Sequence, residues 1–153
     1  MEFDTLVIGG GLSGLVAAAS SAAEGRRVGL VSAGAGDLHL FSGCVDLLAC
    51  YRGFPESGGR SPDFLLDKLI AGEPSHPYSL VGGSWIDESV KFFKNLLPEW
   101  EYHGDWKRWI MLPTSMGTVK RTGLAPRAMS AGDLEESGGM LLVGFRGVTG
   151  YSA

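Results

Sequence analysis

Apolar residues along the chain fall into short runs separated by glycine and polar clusters. Thr5-Leu6-Val7-Ile8 is a β-branched, apolar run that stops at glycine, and it predicts a buried strand. Residues 12–23 are small and helix-compatible, and Gly25 closes that helix. Arg27-Val28-Gly29-Leu30-Val31 predicts a second strand. Strand, glycine turn, helix and strand together make a βαβ unit over residues 1–34. Further on, Ser61-Pro62-Asp63 has the cap, first-turn proline and acid that start a helix, with Phe64, Leu65, Leu69 and Ile70 as its buried face and Gly72 as its end. A second helix opens at Ser84-Trp85-Ile86-Asp87-Glu88. It carries Val90, Phe93, Leu96 and Leu97 on its apolar side and ends at Pro98. Trp109–Leu112 and Thr118–Thr122 predict a hairpin around the loop Pro113–Gly117. Met140-Leu141-Leu142-Val143 reads as one more strand, running into a loop.

Composition narrows the class. The chain has 153 residues, 44% hydrophobic and 20% charged, which suits one folded domain rather than disorder. Glycine is the outlier at 24 residues, more than twice the usual ~7%, so turns and ligand-facing backbone are expected. The net charge of −4 and the scattered Lys and Arg argue against a nucleic-acid footprint. Cys44 and Cys50 lack the spacing and companion ligands of a zinc site, so no metal site is indicated and both read as reduced thiols. No apolar stretch reaches the ~18 residues of a membrane span.

The chemistry is concentrated in Gly9-Gly10-Gly11-Leu12-Ser13-Gly14, a G-x-G-x-x-G match set between strand and helix. In that setting Gly9 permits the tight turn, Gly11 lets backbone approach a pyrophosphate, and Gly14 lets helix pack on strand. The helix start favours a phosphate through its free N–H groups and dipole. The acid that usually follows the second strand and holds an adenosine ribose is missing, because Val31 leads into Ser32-Ala33-Gly34. Asp37 and Asp46 come later than the standard position. A ligand lacking that ribose, FMN rather than FAD, fits Ser32 better. The candidate cofactor residues are Gly9, Gly10, Gly11, Leu12, Ser13, Gly14, Ser32, Ser42 and Gly43. Ser42 and Gly43 lie in the flavin-facing segment after the second strand. His39, His76 and His103 titrate near neutrality, and His39 of that same segment is the candidate catalytic base. Lys120 and Arg121 are candidates to meet an anionic substrate or cofactor phosphate.

Four blocks carry a wider resemblance. They are Phe3–Leu15, Leu38–Leu48, His76–Gly82 and Leu112–Thr122. In this order they resemble the B subunit of anaerobic glycerol-3-phosphate dehydrogenase. The resemblance implies a flavoprotein subunit with FMN, or alternatively FAD, that oxidises glycerol 3-phosphate to dihydroxyacetone phosphate and passes electrons towards a quinone. It also implies a partner flavoprotein subunit, an iron–sulfur membrane-anchoring subunit, and a cytoplasmic location at the inner face of the membrane without direct insertion. The expected fold is α/β: a Rossmann-like FAD/NAD(P)-binding three-layer fold with a parallel sheet and a small inserted β-hairpin. Residues 1–153 are expected to be the N-terminal part of that domain, with a helical and hairpin insertion at 35–138 and the start of a strand-loop unit at 139–153. A non-catalytic or electron-relay scaffold with a degenerate nucleotide site is the alternative. A nicotinamide-binding module is disfavoured by Ser32, since NAD also calls for the ribose acid.

Overall fold

The computed structural model describes residues 2–48, 61–136, 138–141 and 143–147. The N-terminal unit forms as its pattern predicts. Strand β1 (Thr5–Ile8) pairs in parallel with β2 (Val28–Val31), in the register Thr5↔Val28 to Ile8↔Val31. Helix α1 (Leu12–Ala23) connects them. Its end is a Schellman arrangement: Gly25 sits at φ +79°, its N–H donates to Ala22 O at 2.9 Å, and Arg26 N donates to Ser21 O at 3.3 Å. The two strand starts are tied by Arg27, whose backbone N–H and guanidinium both donate to the Asp4 carboxylate, at 2.8 and 2.9 Å. That guanidinium holds the Asp4 carboxyl below its usual range.

One face of the pair lies under α1. Thr5 Oγ1 accepts from Ser21 Oγ at 2.9 Å. The opposite face, with Phe3, Leu6, Ile8 and Val31, is open.

Helices α2 (Pro62–Gly72), α3 (Pro77–Val81) and α4 (Ser84–Leu96) follow. Leu65 and Leu69 of α2 are buried as expected. Leu66 is buried at 1% exposure, whereas Phe64 and Ile70 are only half-buried. The buried stripe is thus one residue round from the expected one. Helix α3 was not expected as an element. Its first proline fits the N1 position, and His76 caps it, Nδ1 accepting from Tyr78 N at 3.1 Å.

Four strands complete the molecule. β3 (His103–Gly104) pairs antiparallel with β6 (Leu124–Ala125), and β4 (Ile110–Pro113) with β5 (Val119–Thr122). The hairpin is therefore present, with its loop shifted by one residue to Thr114–Thr118. A four-residue helix, α5 (Arg127–Ser130), ends this region. The expected strand at 140–143 is not formed among its described residues: Met140, Leu141 and Val143 are exposed and unpaired. An apolar run becomes a strand only where a neighbour offers a ladder, and no described strand lies beside this one. Leu142, Cys50 and residues 151–153 lie outside the described residues.

The core sits in the second region. Cys44, Ile110, Leu112 and Ala125 form one buried cluster, and Phe93, Tyr102 and Leu124 another. Leu12 and Val16 of α1 pack against the second cluster with Val90 and Leu97, which fixes the glycine turn relative to the rest. Residues 43–47 are threaded onto β6 and the hairpin. Val45 N donates to Leu124 O at 2.9 Å, Tyr102 Oη donates to Gly43 O at 2.7 Å, and Trp109 Nε1 donates to Leu47 O at 3.1 Å. Burial pushes the Tyr102 phenol above its ordinary value.

Candidate functional site

The glycine turn leaves β1 through Gly9, whose φ of +120° is open to glycine but strained for other residues. Gly9 N donates to Val31 O at 2.9 Å, so the turn begins on the ladder itself. Helix α1 then starts with Gly11 as its N-cap, and Leu15 N makes the first helical bond to Gly11 O at 3.0 Å. The amides of Leu12, Ser13 and Gly14 precede that bond and have no acceptor within the helix. A Cβ on Gly14 would lie 2.0 Å from the Gly9 carbonyl oxygen, so helix and turn are in contact there. A Cβ on Gly11 would meet nothing within 4 Å, so its backbone faces open space. That space is a cleft of about 440 Å³, lined by the turn and by Ile8, Asp37, Leu38, Leu40 and Phe41.

These features suit a phosphate-bearing cofactor. The exposed first-turn amides and the positive helix end meet an anion, and apolar walls from Ile8, Leu12, Leu40 and Phe41 stand beside them. No Lys or Arg lines the cleft, so backbone alone would neutralise the phosphate.

The other sequence candidates separate into three places. Ser32 does not line the cleft. Its hydroxyl donates to the Gly34 carbonyl and accepts from Gly34 N at 3.1 Å, tucked behind Gly10. Ser42 lines a second cleft of about 700 Å³, with Trp100, Pro126, Arg127 and Met129, and Gly43 packs against Trp100 and Pro126. Beside it Glu101 pairs with Arg127, and the guanidinium holds the carboxyl below its ordinary value. His39 is exposed on the 3-10 turn Gly36–Leu40. It does not line the first cleft, although Leu38 and Leu40 on either side do. His76 is engaged in its cap, and His103 is exposed on β3.

Lys120 Nζ pairs with Asp46 at 3.1 Å, and Arg121 lies over the Trp109 ring at 5.1 Å. Both cations thus serve the packing of the 43–47 segment and the hairpin. Asp37 is the residue that sequence distance put aside. It lies in the cleft wall because the chain folds back through Gly34 and Gly36. Glycines so soon after a strand were the available signal. With an acid in the cleft wall, its absence at Ser32 no longer favours FMN.

A parallel β-α-β unit with a glycine turn opening onto such a cleft defines a nucleotide-cofactor-binding protein. The family model "FAD binding domain" matches residues 4–152, and the chain belongs to that family. Among curated proteins it is similar to the probable B subunit of anaerobic glycerol-3-phosphate dehydrogenase from Halobacterium salinarum, 33% identical over this whole chain and 35% of the relative. The corresponding B subunit of Haemophilus ducreyi is 28% identical over 99% of this chain and 35% of its own length. That of Pectobacterium carotovorum is 42% identical over 56% of this chain and 20% of its own. The chain spans about a third of the length of the first two relatives. No solved structure matches significantly. The family makes this a flavin-binding chain of an oxidoreductase family, and its relatives are subunits of a larger assembly. No helix among the described residues is long and apolar enough to cross a membrane.

Proposed function

We propose that this chain supplies the phosphate-anchoring part of the flavin site in a subunit that oxidises glycerol 3-phosphate to dihydroxyacetone phosphate, with the electrons passed on towards a quinone. The observation that carries the reading is the cleft at the Gly9–Gly14 turn, taken with the family match. The names of the relatives support the substrate. A bound flavin supplies a two-electron acceptor for the secondary alcohol. The chain's own part is to hold that cofactor. The Leu12, Ser13 and Gly14 amides bind phosphate, and Ile8, Leu12, Leu40 and Phe41 keep water from one side of the cleft. A partner flavoprotein subunit and an iron–sulfur subunit at the inner face of the cytoplasmic membrane complete the electron path in this proposal.

A second reading, a cofactor-holding or electron-relay subunit without its own substrate chemistry, is favoured by one observation. Asp37 is the only titratable side chain among the residues lining the cleft, and no histidine lines it. Titrating the chain with FAD and with FMN while following flavin fluorescence tests the cofactor site. Saturable quenching is expected, and a folded chain that binds neither overturns the proposal. In the assembled complex, glycerol 3-phosphate should bleach this subunit's flavin under anaerobic conditions. Bleaching confined to the partner's flavin selects the relay reading.

A further inference from the structure

We infer that Asp37 is the sugar-hydroxyl acceptor of the cleft and biases it towards FAD over FMN. The inference rests on the cleft being a flavin site, as proposed above.

Four observations converge on Asp37. The residue at the usual ribose position, Ser32, has its hydroxyl committed to Gly34 and lies outside the cleft. The chain then turns back through Gly36 at φ +57°. A Cβ on Gly36 would lie 3.0 Å from Gly11 Cα and 3.2 Å from Gly11 N, so this corner is pressed against the glycine turn. Asp37 follows directly and lines the cleft. Among the described residues its carboxylate has no hydrogen-bond or ion-pair partner, unlike Asp4, Asp46, Asp105 and Asp133. An ionised carboxylate is acceptor-only, and what it lacks here is a donor.

Charge decides which cofactor provides one. The cleft holds no cation to offset Asp37. A phosphate monoester, as in FMN, carries about −1.5 to −2 near neutral pH, whereas each phosphate of a pyrophosphate diester carries a single charge. A carboxylate beside the phosphate site therefore opposes FMN more strongly. FAD adds the vicinal hydroxyls of its adenosine ribose, which donate to a carboxylate in charge-assisted bonds. The repulsion and the hydrogen bonds favour the same ligand.

The test uses the 153-residue chain and calorimetric titration with four probes: FAD, FMN, ADP and 2′,3′-dideoxy-ADP. The two nucleotides report the ribose hydroxyls without the flavin ring. The wild-type chain should prefer ADP over its dideoxy analogue, and FAD over FMN, by roughly tenfold or more, the usual scale for a hydrogen bond to a charged group. Asp37→Asn should bring the ADP ratio to within about twofold of unity and leave FMN binding unchanged or tighter. Asp37→Glu should retain part of the preference. Asp37 is exposed and, among the described residues, without partners, so neither variant disturbs packing. Unchanged ratios in Asp37→Asn, with binding intact, overturn the role of Asp37 alone. A wild-type chain that binds none of the four overturns the flavin reading and this inference together.

Discussion

The βαβ unit at residues 5–31 and the helix-and-hairpin region at 62–125 treat their apolar side chains in opposite ways. In the first, α1 has no buried residue, and Leu6, Ile8 and Val31 are 56%, 83% and 56% exposed. In the second, Leu66, Leu69, Ile110, Leu112, Leu124 and Ala125 are all at 5% or below. The region with the readable motif is thus the one with the least core. Its glycines set backbone geometry, and small α1 residues allow close approach, but neither removes much apolar area from water. Stability comes from the region without a motif, to which α1 is joined through Leu12 and Val16.

The largest expected effect tests that division directly. Leu66→Ala should destabilise the chain by about 2–5 kcal/mol, read as a shift in the urea midpoint, whereas Ile8→Ala should stay within about 0.5 kcal/mol. Equal costs would mean that the open face of β1 and β2 is covered in solution, and the comparison would fail.

A smaller effect sharpens the picture inside the turn. Gly14→Ala drives a methyl into the Gly9 carbonyl and should cost about 1–3 kcal/mol, with a matching fall in Tm. Gly11→Ala meets no neighbour, so stability should change by less than about 1 kcal/mol while flavin occupancy drops. Unchanged flavin content in folded Gly11→Ala would remove this turn from the cofactor site.

The smallest effect concerns the exposed ion pairs, one in each region. The Asp4 and Glu101 carboxyls are both held below their ordinary values, by Arg27 and Arg127. A depressed carboxylate contributes stability above its unfolded value, and loses it as pH falls through the lower folded value. Arg127→Gln should therefore differ slightly from wild type at neutral pH. The gap should close in acid and shrink in high salt, because exposed pairs are screened. A gap that persists in acid would show that Arg127 acts through packing instead.

Local pattern determined much of this chain. The strand–glycine–helix–strand order of residues 5–31, the helices beginning at Pro62 and Ser84, and the hairpin near residue 115 all follow from short-range periodicity, caps and breakers. These features depend on neighbours a few residues apart, and so they can be read without a fold. Tertiary structure decided what depends on distant partners. The apolar run at 140–143 has no described strand to pair with, whereas Val45 gains a ladder contact from Leu124, 79 residues away in sequence. Lys120 and Arg121 went to Asp46 and Trp109 rather than to an anion. In the site, sequence spacing determined the glycine turn, because each glycine answers to backbone geometry within one turn. It pointed to Ser32 as the ribose position and passed over Asp37. The side chain that faces the cleft is set by how Gly34 and Gly36 fold the chain back onto Gly11, a contact between segments that no local pattern contains.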